Sequence, residues 1–343
     1  MNRTRFILTF ISVCIALRMV GADTLHLAFT GDIMMGTTYP EVRLPADGGK
    51  HLFDDVAPLL RSADVAAGNL EGALCDGGET RKRISGKCYA FRTPTHYAPL
   101  LPAAGYDFLS MANNHAFDFG EQGVRSTAAA LRAVGVRYAG LRGSAEMAVT
   151  ERDGVVYGFC AFGHNAGTCL HADLASVRRI LTDLRARVDI LIVSFHGGAE
   201  GTSYRHLPEG EEMFCDENRG SLRTFARFCI DHGADVVYGH GPHVVRAVEL
   251  YKDRFIAYSL GNFCTPYCIS LSGVLGYAPV LRLDLLPDGR FAGGRIHSFR
   301  QRYGVGPRRD NTHSAAREIK ALTEADIPHT PLHVAADGTL TRK

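Results

Sequence analysis

Ser110-Met111-Ala112-Asn113-Asn114-His115-Ala116-Phe117-Asp118-Phe119-Gly120 follows Tyr106-Asp107-Phe108-Leu109, which reads as a short buried strand. It precedes residues 121–134, whose apolar spacing reads as a helix. Amides, an imidazole and a carboxylate are thus gathered at a strand exit, where an open α/β sheet forms its ligand crevice. Asn and Asp are also ordinary turn residues. The stretch decides the fold only if other strand exits repeat it.

They do. Residues 25–30 read as a strand that runs into Gly31-Asp32, and residues 64–68, after a helix over 53–62, read as a strand that runs into Asn69-Leu70-Glu71. Residues 155–162 form an uninterrupted apolar run and read as a buried strand. A helical pattern over 173–187 leads to the strand 189–195 and its exit His196-Gly197-Gly198-Ala199-Glu200. The helix 221–232 leads to the strand 235–238 and its exit Gly239-His240-Gly241-Pro242-His243. Residues 244–251 and 255–260 read as paired strands about Lys252-Asp253-Arg254, and the second ends in Gly261-Asn262-Phe263. A hairpin at Pro287-Asp288-Gly289 and a helix over 315–322 complete the pattern. Residues 73–98, with Gly77-Gly78, two cysteines and Pro94, interrupt it as a loop or inserted hairpin. Strands alternating with helices make the class α/β, and no linker or repeat divides residues 23–343.

The first 22 residues stand apart. Arg3 and Arg5 precede the apolar run 6–17, and Val20-Gly21-Ala22 offers small side chains for cleavage after Ala22. The run is shorter than the roughly 20 residues a membrane span needs and is followed by Arg18. A secretory signal is expected, placing the protein in the periplasm or at the cell surface. Cleavage removes three arginines and no acidic residue, so a net charge of +2 becomes −1, which argues against general nucleic-acid binding. Local basic runs remain, Arg81-Lys82-Arg83 with Lys87, and Arg295, Arg300, Arg302, Arg308 and Arg309. They read as solvated faces or as a docking strip for an anionic substrate. Eight cysteines remain in the processed chain, an even number that favours disulfides in an exported protein, with closure of 75 to 88 and 160 to 169 the short options.

Five strand exits therefore carry ligand-type groups. Asp32 and Glu71 can supply negative charge, Asn114 a carbonyl oxygen, and His196, His240 and His243 imidazole nitrogens. This donor set suits a divalent ion, Mn, Fe or Zn, one or two in number. His115 is then placed to act as a general acid, with Asp118 orienting its ring. The other histidines, among them His164 and His171, fall outside the pattern and read as structural or solvated.

These markers, taken together over about residues 25–285, resemble the CapA-like poly-gamma-glutamate capsule synthesis proteins, a branch of the calcineurin-like metallophosphoesterases. The resemblance implies a four-layer α/β sandwich with a one- or two-metal centre at Asp32, Glu71, Asn114, His196, His240 and His243. It implies catalytic roles for His115 and Asp118, and substrate-binding roles for Glu200, Asn262 and Arg83. Three departures are visible. Met34 stands where the wider superfamily has an imidazole, which implies a weaker first metal position; Glu71 stands where a bridging Asp is usual; and His240 and His243 are separated by two residues instead of one. The implied function is that of an exported metal-dependent enzyme acting on an anionic polymer such as poly-gamma-glutamate or on its cell-envelope attachment. Its partners would be that polymer or the capsule synthesis machinery, with peripheral association at the envelope. The alternatives are a phosphodiesterase or nucleotidase, and a non-catalytic polymer-binding or assembly protein.

Overall fold

Leu25–Ile33 (β1) shows why the chain builds layers. Leu27 and Phe29 join one core with Phe159, Ile192 and Tyr238, whereas Ala28 between them joins another with Val124 and Leu131. Successive strand residues face opposite ways, and a strand apolar on both faces needs cover on both. In the computed structural model, which describes residues 24–80, 82 and 88–343, a second sheet covers one face and helices the other. The expected signal segment and Arg81, Arg83 and Lys87 lie outside the described residues.

β1 pairs in parallel with Val65–Leu70 (β2), β2 with Phe108–Ser110 (β3), and β3 with Arg137–Ala139 (β4). The chain then builds the second sheet from Met147–Arg152 (β5), Val155–Phe162 (β6), Ile190–His196 (β7), Val236–His240 (β8), Val248–Tyr251 (β9) and Arg254–Ala257 (β10). Its spatial order is β9-β10-β8-β7-β6-β5, parallel from β6 through β10. Asn262–Cys264 (β11) returns beside β1 in parallel. Val280–Leu285 (β12), Phe291–His297 (β13), Leu332–Val334 (β14) and Thr339–Arg342 (β15) then extend the first sheet antiparallel, giving β14-β15-β13-β12-β1-β2-β3-β4.

Gly120–Ala133 (α1) covers the outer face of the first sheet through Val124 and Leu131. Leu174–Arg185 (α2) and Leu222–Asp231 (α3) cover the second through Ile180, Leu184 and Phe225. Ser314–Asp326 (α4) closes the seam between the sheets with Ala316 and Ile319. Helix, sheet, sheet and helix make the four-layer α/β sandwich that the resemblance implies.

Some expectations are corrected. The helix over 53–62 shrinks to Ala57–Arg61, because the preceding residues close tighter turns such as Val56 N–H to Phe53 O. Within residues 73–98, Ala73–Leu74 and Arg92–Thr93 pair in parallel, so these two strands are not the arms of a hairpin. β5 runs antiparallel to β6 and has no clear sequence signal, being half-exposed and charged at its end. No two of the eight cysteines are bonded, so the 75–88 and 160–169 closures are absent. Cys160 and Cys169 pack with Cys229 under α2 and α3 as small apolar side chains, and burial pushes the Cys169 thiol up to about 12.

Candidate metal centre

The parallel strands of both sheets end on the same side, and their exits converge. Asp32, near the end of β1, is in register with Asn69 on β2 and Asn262 on β11. His196 on β7 is in register with His240 on β8. Such close convergence needs residues without side chains. A Cβ on Gly31 would lie 1.8 Å from Gly261 O, and one on Gly241 (φ +114°) would press on the Gly197 backbone at 2.9 Å.

Asp32, Glu71, His196 and His240 are fully buried. They and His243 form two donor groups, Asp32 with His196 and His240, and Asp32 with Glu71 and His243, with the ligand atoms of each group within 4.8 Å of one another. Asp32 belongs to both. It is the one side chain the two groups share, while Glu71 belongs to one of them. Asp32 Oδ1 accepts from Asn69 Nδ2 at 2.8 Å and lies 3.7 Å from His240 Nδ1, while Oδ2 lies 3.1 Å from His243 Nδ1. His243 Nδ1 also lies 2.9 Å from Asn262 Oδ1, so Asn262 serves the ligand set from beside β1. His240 Nε2 meets Ser194 Oγ at 2.8 Å, and its Nδ1 meets His196 Nδ1 at 3.0 Å.

These residues fit a divalent cation on an observation of their own. Both carboxylate oxygens of Glu71 and Nε2 of His196 are buried without a hydrogen-bond partner. A buried carboxylate with no donor is costly by several kcal/mol unless a cation answers it. Burial, with the Asp32 charge added, pushes Glu71 well above the ordinary glutamate range. Burial would raise Asp32 too, but the hydrogen bond and charge of His243 leave it below its ordinary value. Burial opposes a charged His243, yet Glu71, Asp32 and Glu200 hold it up at about 10. A divalent ion bound there would answer the same carboxylates and leave His243 a neutral nitrogen donor. Burial drives His196 and His240 down, His240 to about 4, which keeps both as neutral nitrogen donors. Met34, at the position of the implied weaker ligand, is buried and offers no nitrogen or oxygen.

The exit of β3 supplies the other wall. Asn113 Nδ2 donates to Asn69 Oδ1 at 2.9 Å, and its Oδ1 accepts the His115 amide at 3.0 Å, locking the loop to β2. His115 Nδ1 lies 2.9 Å from Asp118 Oδ2, and its Nε2 looks toward Glu71 at 3.8 Å. Asp118 also accepts the Phe91 amide at 2.7 Å and pairs with Lys82, whose Nζ donates to Asn114 O at 2.8 Å. The Phe91 ring covers His115 at 4.5 Å. Asn114 Oδ1 is buried without a hydrogen-bond partner. Above these groups opens a cleft of about 600 Å³, whose walls include Lys82, Phe91, His115, Glu200, Arg219 and His243.

Glu200 Oε2 stands 3.9 Å from His243 Nε2, and its Oε1 accepts from Arg219 at 2.7 Å. Every expected site residue that is described is therefore in one neighbourhood; Arg83 lies outside the described residues. Sequence reasoning missed Asn69, Asn113, Arg219 and the buried pair Arg246–Glu212, which joins at 2.7 and 2.8 Å and ties down Ala199 O and Tyr204 O on either side of Glu200. An arginine inside the apolar run Val244-Val245-Arg246-Ala247-Val248 was the available signal. His164 and His171 stand outside both donor groups, their rings buried; His164 Nδ1 lies 3.4 Å from His196 O.

Residues 26–267 match the family described as Bacterial capsule synthesis protein PGA_cap. The chain is 30% identical over 257 residues to the PGA biosynthesis protein CapA of Bacillus subtilis (strain 168), an alignment covering 70% of this chain and 63% of that protein. It is 26% identical over 259 residues to the capsule biosynthesis protein CapA of Bacillus anthracis, covering 70% and 60%. It thus spans 63% and 60% of the length of these curated relatives. A solved hypothetical protein from Thermus thermophilus is similar in fold, with a TM-score of 0.50 and 18% identity over 80% of this chain and 99% of that one.

Proposed function

This chain belongs to the bacterial capsule synthesis protein PGA_cap family, and on that footing we propose that it is an exported metal-dependent enzyme acting on an anionic polymer of the poly-gamma-glutamate type or on its attachment to the cell envelope. The observation that carries the reading is the sharing of Asp32 by two buried donor groups beside a Glu71 carboxylate with no donor of its own. Asp32, Glu71, His196, His240 and His243 would hold one or two ions of Mn, Fe or Zn. A divalent ion bound there supplies Lewis acidity toward a carbonyl or phosphoryl oxygen.

The remaining chemistry is the chain's own. Asp118 accepts a hydrogen bond from His115 Nδ1–H, which turns Nε2 to the cleft, and its charge favours the imidazolium form whose Nε2 proton would pass to a leaving group. Phe91 keeps water from one face of that ring. Substrate carboxylates would meet the basic run of the 73–98 insertion, to which Arg83 belongs in sequence; Lys82 lines the cleft but is held by Asp118 and Asn114 O, and Glu200 and Asn262 steady His243 beneath. The names of the CapA relatives support the polymer class and the capsule machinery as partner. The apolar run 6–17 supports export.

The test is elemental analysis of protein purified without chelator, beside an Asp32→Ala, His196→Ala double variant, followed by incubation of both with polyglutamate and with a chromogenic phosphodiester. Near-stoichiometric metal in the native protein only, with polymer cleavage or transfer, is expected. Phosphodiester turnover alone would move the substrate class. Absence of metal after reconstitution, with polymer still bound, would make this a binding or assembly protein.

A further inference from the structure

Two strands outside the main sheets, Phe299–Arg302 and Gly306–Arg309, form an antiparallel hairpin whose turn is Tyr303-Gly304-Val305. Its composition is unfavourable for an isolated surface hairpin. Arg300 sits directly opposite Arg308, and like charges facing across a strand pair destabilise it. Arg302 lies two residues along from Arg300, hence on the same face, whereas Arg309, next to Arg308 and opposite Phe299, turns to the other face. Among the described residues none of these four guanidinium groups pairs with a carboxylate. Arg300 reaches Gly273 O and the Tyr277 ring, Arg308 the His51 and Pro307 carbonyls, and Arg309 the Phe299 ring. The neighbouring acids are already engaged: Asp55 accepts the Arg309 amide, Asp310 is held by Thr312 and Ser314, and Glu41 pairs with Arg43.

The tip is apolar where the flanks are basic. Tyr303 is 65% exposed and Val305 40% exposed. The tip is also firmly placed. Tyr303 packs edge-on against Tyr267 at 5.1 Å, Gly304 N–H donates to Pro266 O at 3.0 Å, and Gln301 accepts the Thr265 amide at 2.6 Å. The loop that receives these contacts continues into Cys268, Ile269 and Ser270, which line the cleft above the metal-ligand residues.

We propose that this hairpin docks the protein on an anionic phospholipid surface, Tyr303 and Val305 entering the headgroup layer while Arg300, Arg302 and Arg308, on one face of it, meet lipid phosphates. An exposed tyrosine and valine between arginines match a boundary that is apolar below and negatively charged above. A soluble polycarboxylate would use the arginines but have no use for Val305. Docking through this tip sets the rim of the cleft against the membrane, so the site acts on material held at that surface. The inference uses no metal and no turnover, so it stands or falls apart from the function proposed above.

The chain contains no tryptophan, so Tyr303→Trp in the full-length protein gives a single indole reporter at the tip. With vesicles of phosphatidylglycerol and phosphatidylcholine, its emission should shift to the blue and be quenched by brominated acyl chains. Phosphatidylcholine vesicles alone should do neither. In that reporter, Arg300→Gln with Arg302→Gln should weaken the response about thirtyfold, since each basic residue near an anionic surface contributes about 1 kcal/mol. An unshifted indole, equal quenching by neutral vesicles, or displacement of the arginine-dependent interaction by soluble polyglutamate with no lipid response would each overturn the proposal. The last would reassign the strip to polymer. Circular dichroism of both variants, expected to match the parent, separates loss of docking from loss of fold.

Discussion

Asp32 Oδ2 and His243 Nδ1 stand 3.1 Å apart although 211 residues separate them, and the other oxygen of the same carboxylate faces His240 from 3.7 Å. One side chain therefore ties the first strand exit to two residues of the last. This predicts unequal consequences for substitutions that look alike. Asp32→Ala removes a donor from both groups and should abolish bound metal, whereas His243→Ala removes a donor from one and should leave the Asp32, His196 and His240 group able to bind. Elemental analysis of the two folded variants checks it. Equal losses would show that the groups do not bind independently.

Lys82 and Asp118 make the second prediction. The Lys82 ammonium pairs with Asp118, which in turn accepts from His115, so an insertion residue acts on the proton donor through a carboxylate. Burial lowers His115 from its ordinary value and the charge of Asp118 works against that fall. His115→Ala should cost about 10²- to 10⁴-fold in turnover with metal content unchanged. Asp118→Asn should fall in the same direction and change the tautomer of His115, which imidazole ¹⁵N shifts report. Wild-type turnover in His115→Ala would remove it from the chemistry.

The alternation of apolar runs with Gly-flanked polar exits was enough to read the α/β class and to bring Asp32, Glu71, His196, His240 and His243 to one side, because a parallel sheet leaves its exits nowhere else to go, whereas the four layers were what the family resemblance implied. What alternation does not carry is partnership across the gap between sheets. That Asp32 and not Glu71 is shared depends on side-chain reach, and the inward turn of Lys82 depends on a carboxylate 36 positions away. The Cys160 and Cys169 pairing failed for a related reason. Even parity and short spacing say which loops could close, but both thiols belong to strands and turns whose side chains the apolar core claims first.

Asn69 supports Asp32 from outside the ligand set, through its Nδ2 at 2.8 Å, and is itself held by Asn113 at 2.9 Å. Groups in this position orient a ligand without touching the ion, and their loss commonly weakens affinity by about 10- to 100-fold. Asn69→Ala should therefore keep the metal at high concentration but release it to a weak chelator that leaves the parent loaded. Competition titration measures this directly. Unchanged affinity would leave Asn69 a packing residue.

The Arg246 guanidinium is fully buried and held twice by Glu212, with Ala199 O and Tyr204 O as further acceptors. Glu212 Oε2 also accepts the Ala199 amide at 2.9 Å, so the pair clamps the loop that carries Glu200. Truncating one partner of such a pair strands the other as an unanswered buried charge, at a cost of about 3–5 kcal/mol. Arg246→Ala should lower unfolding free energy by that order, and Arg246→Met with Glu212→Leu by much less. Denaturant titration reads both. Equal losses would mean that packing, and not the unpaired charge, is at stake.

Acid should loosen the fold through His171. Its ring is 4% exposed, its Nε2 has no partner, and burial brings it down to about 4. In the unfolded chain the same imidazole takes a proton near about 6.5. Between those values the unfolded state binds the proton and the folded state does not, so stability present above 6.5 is lost as the pH falls toward 4, by up to about 1.4 kcal/mol per pH unit from this group. His164, brought down to about 3 by burial and the Arg219 charge, acts in the same direction. His171→Leu keeps the packing against Phe225 and removes the titration. Its unfolding midpoint in urea should fall less between neutral pH and about pH 5 than that of the parent. A parallel fall in both proteins would locate the acid sensitivity elsewhere, with the carboxylates of the ligand cluster as the next groups to substitute.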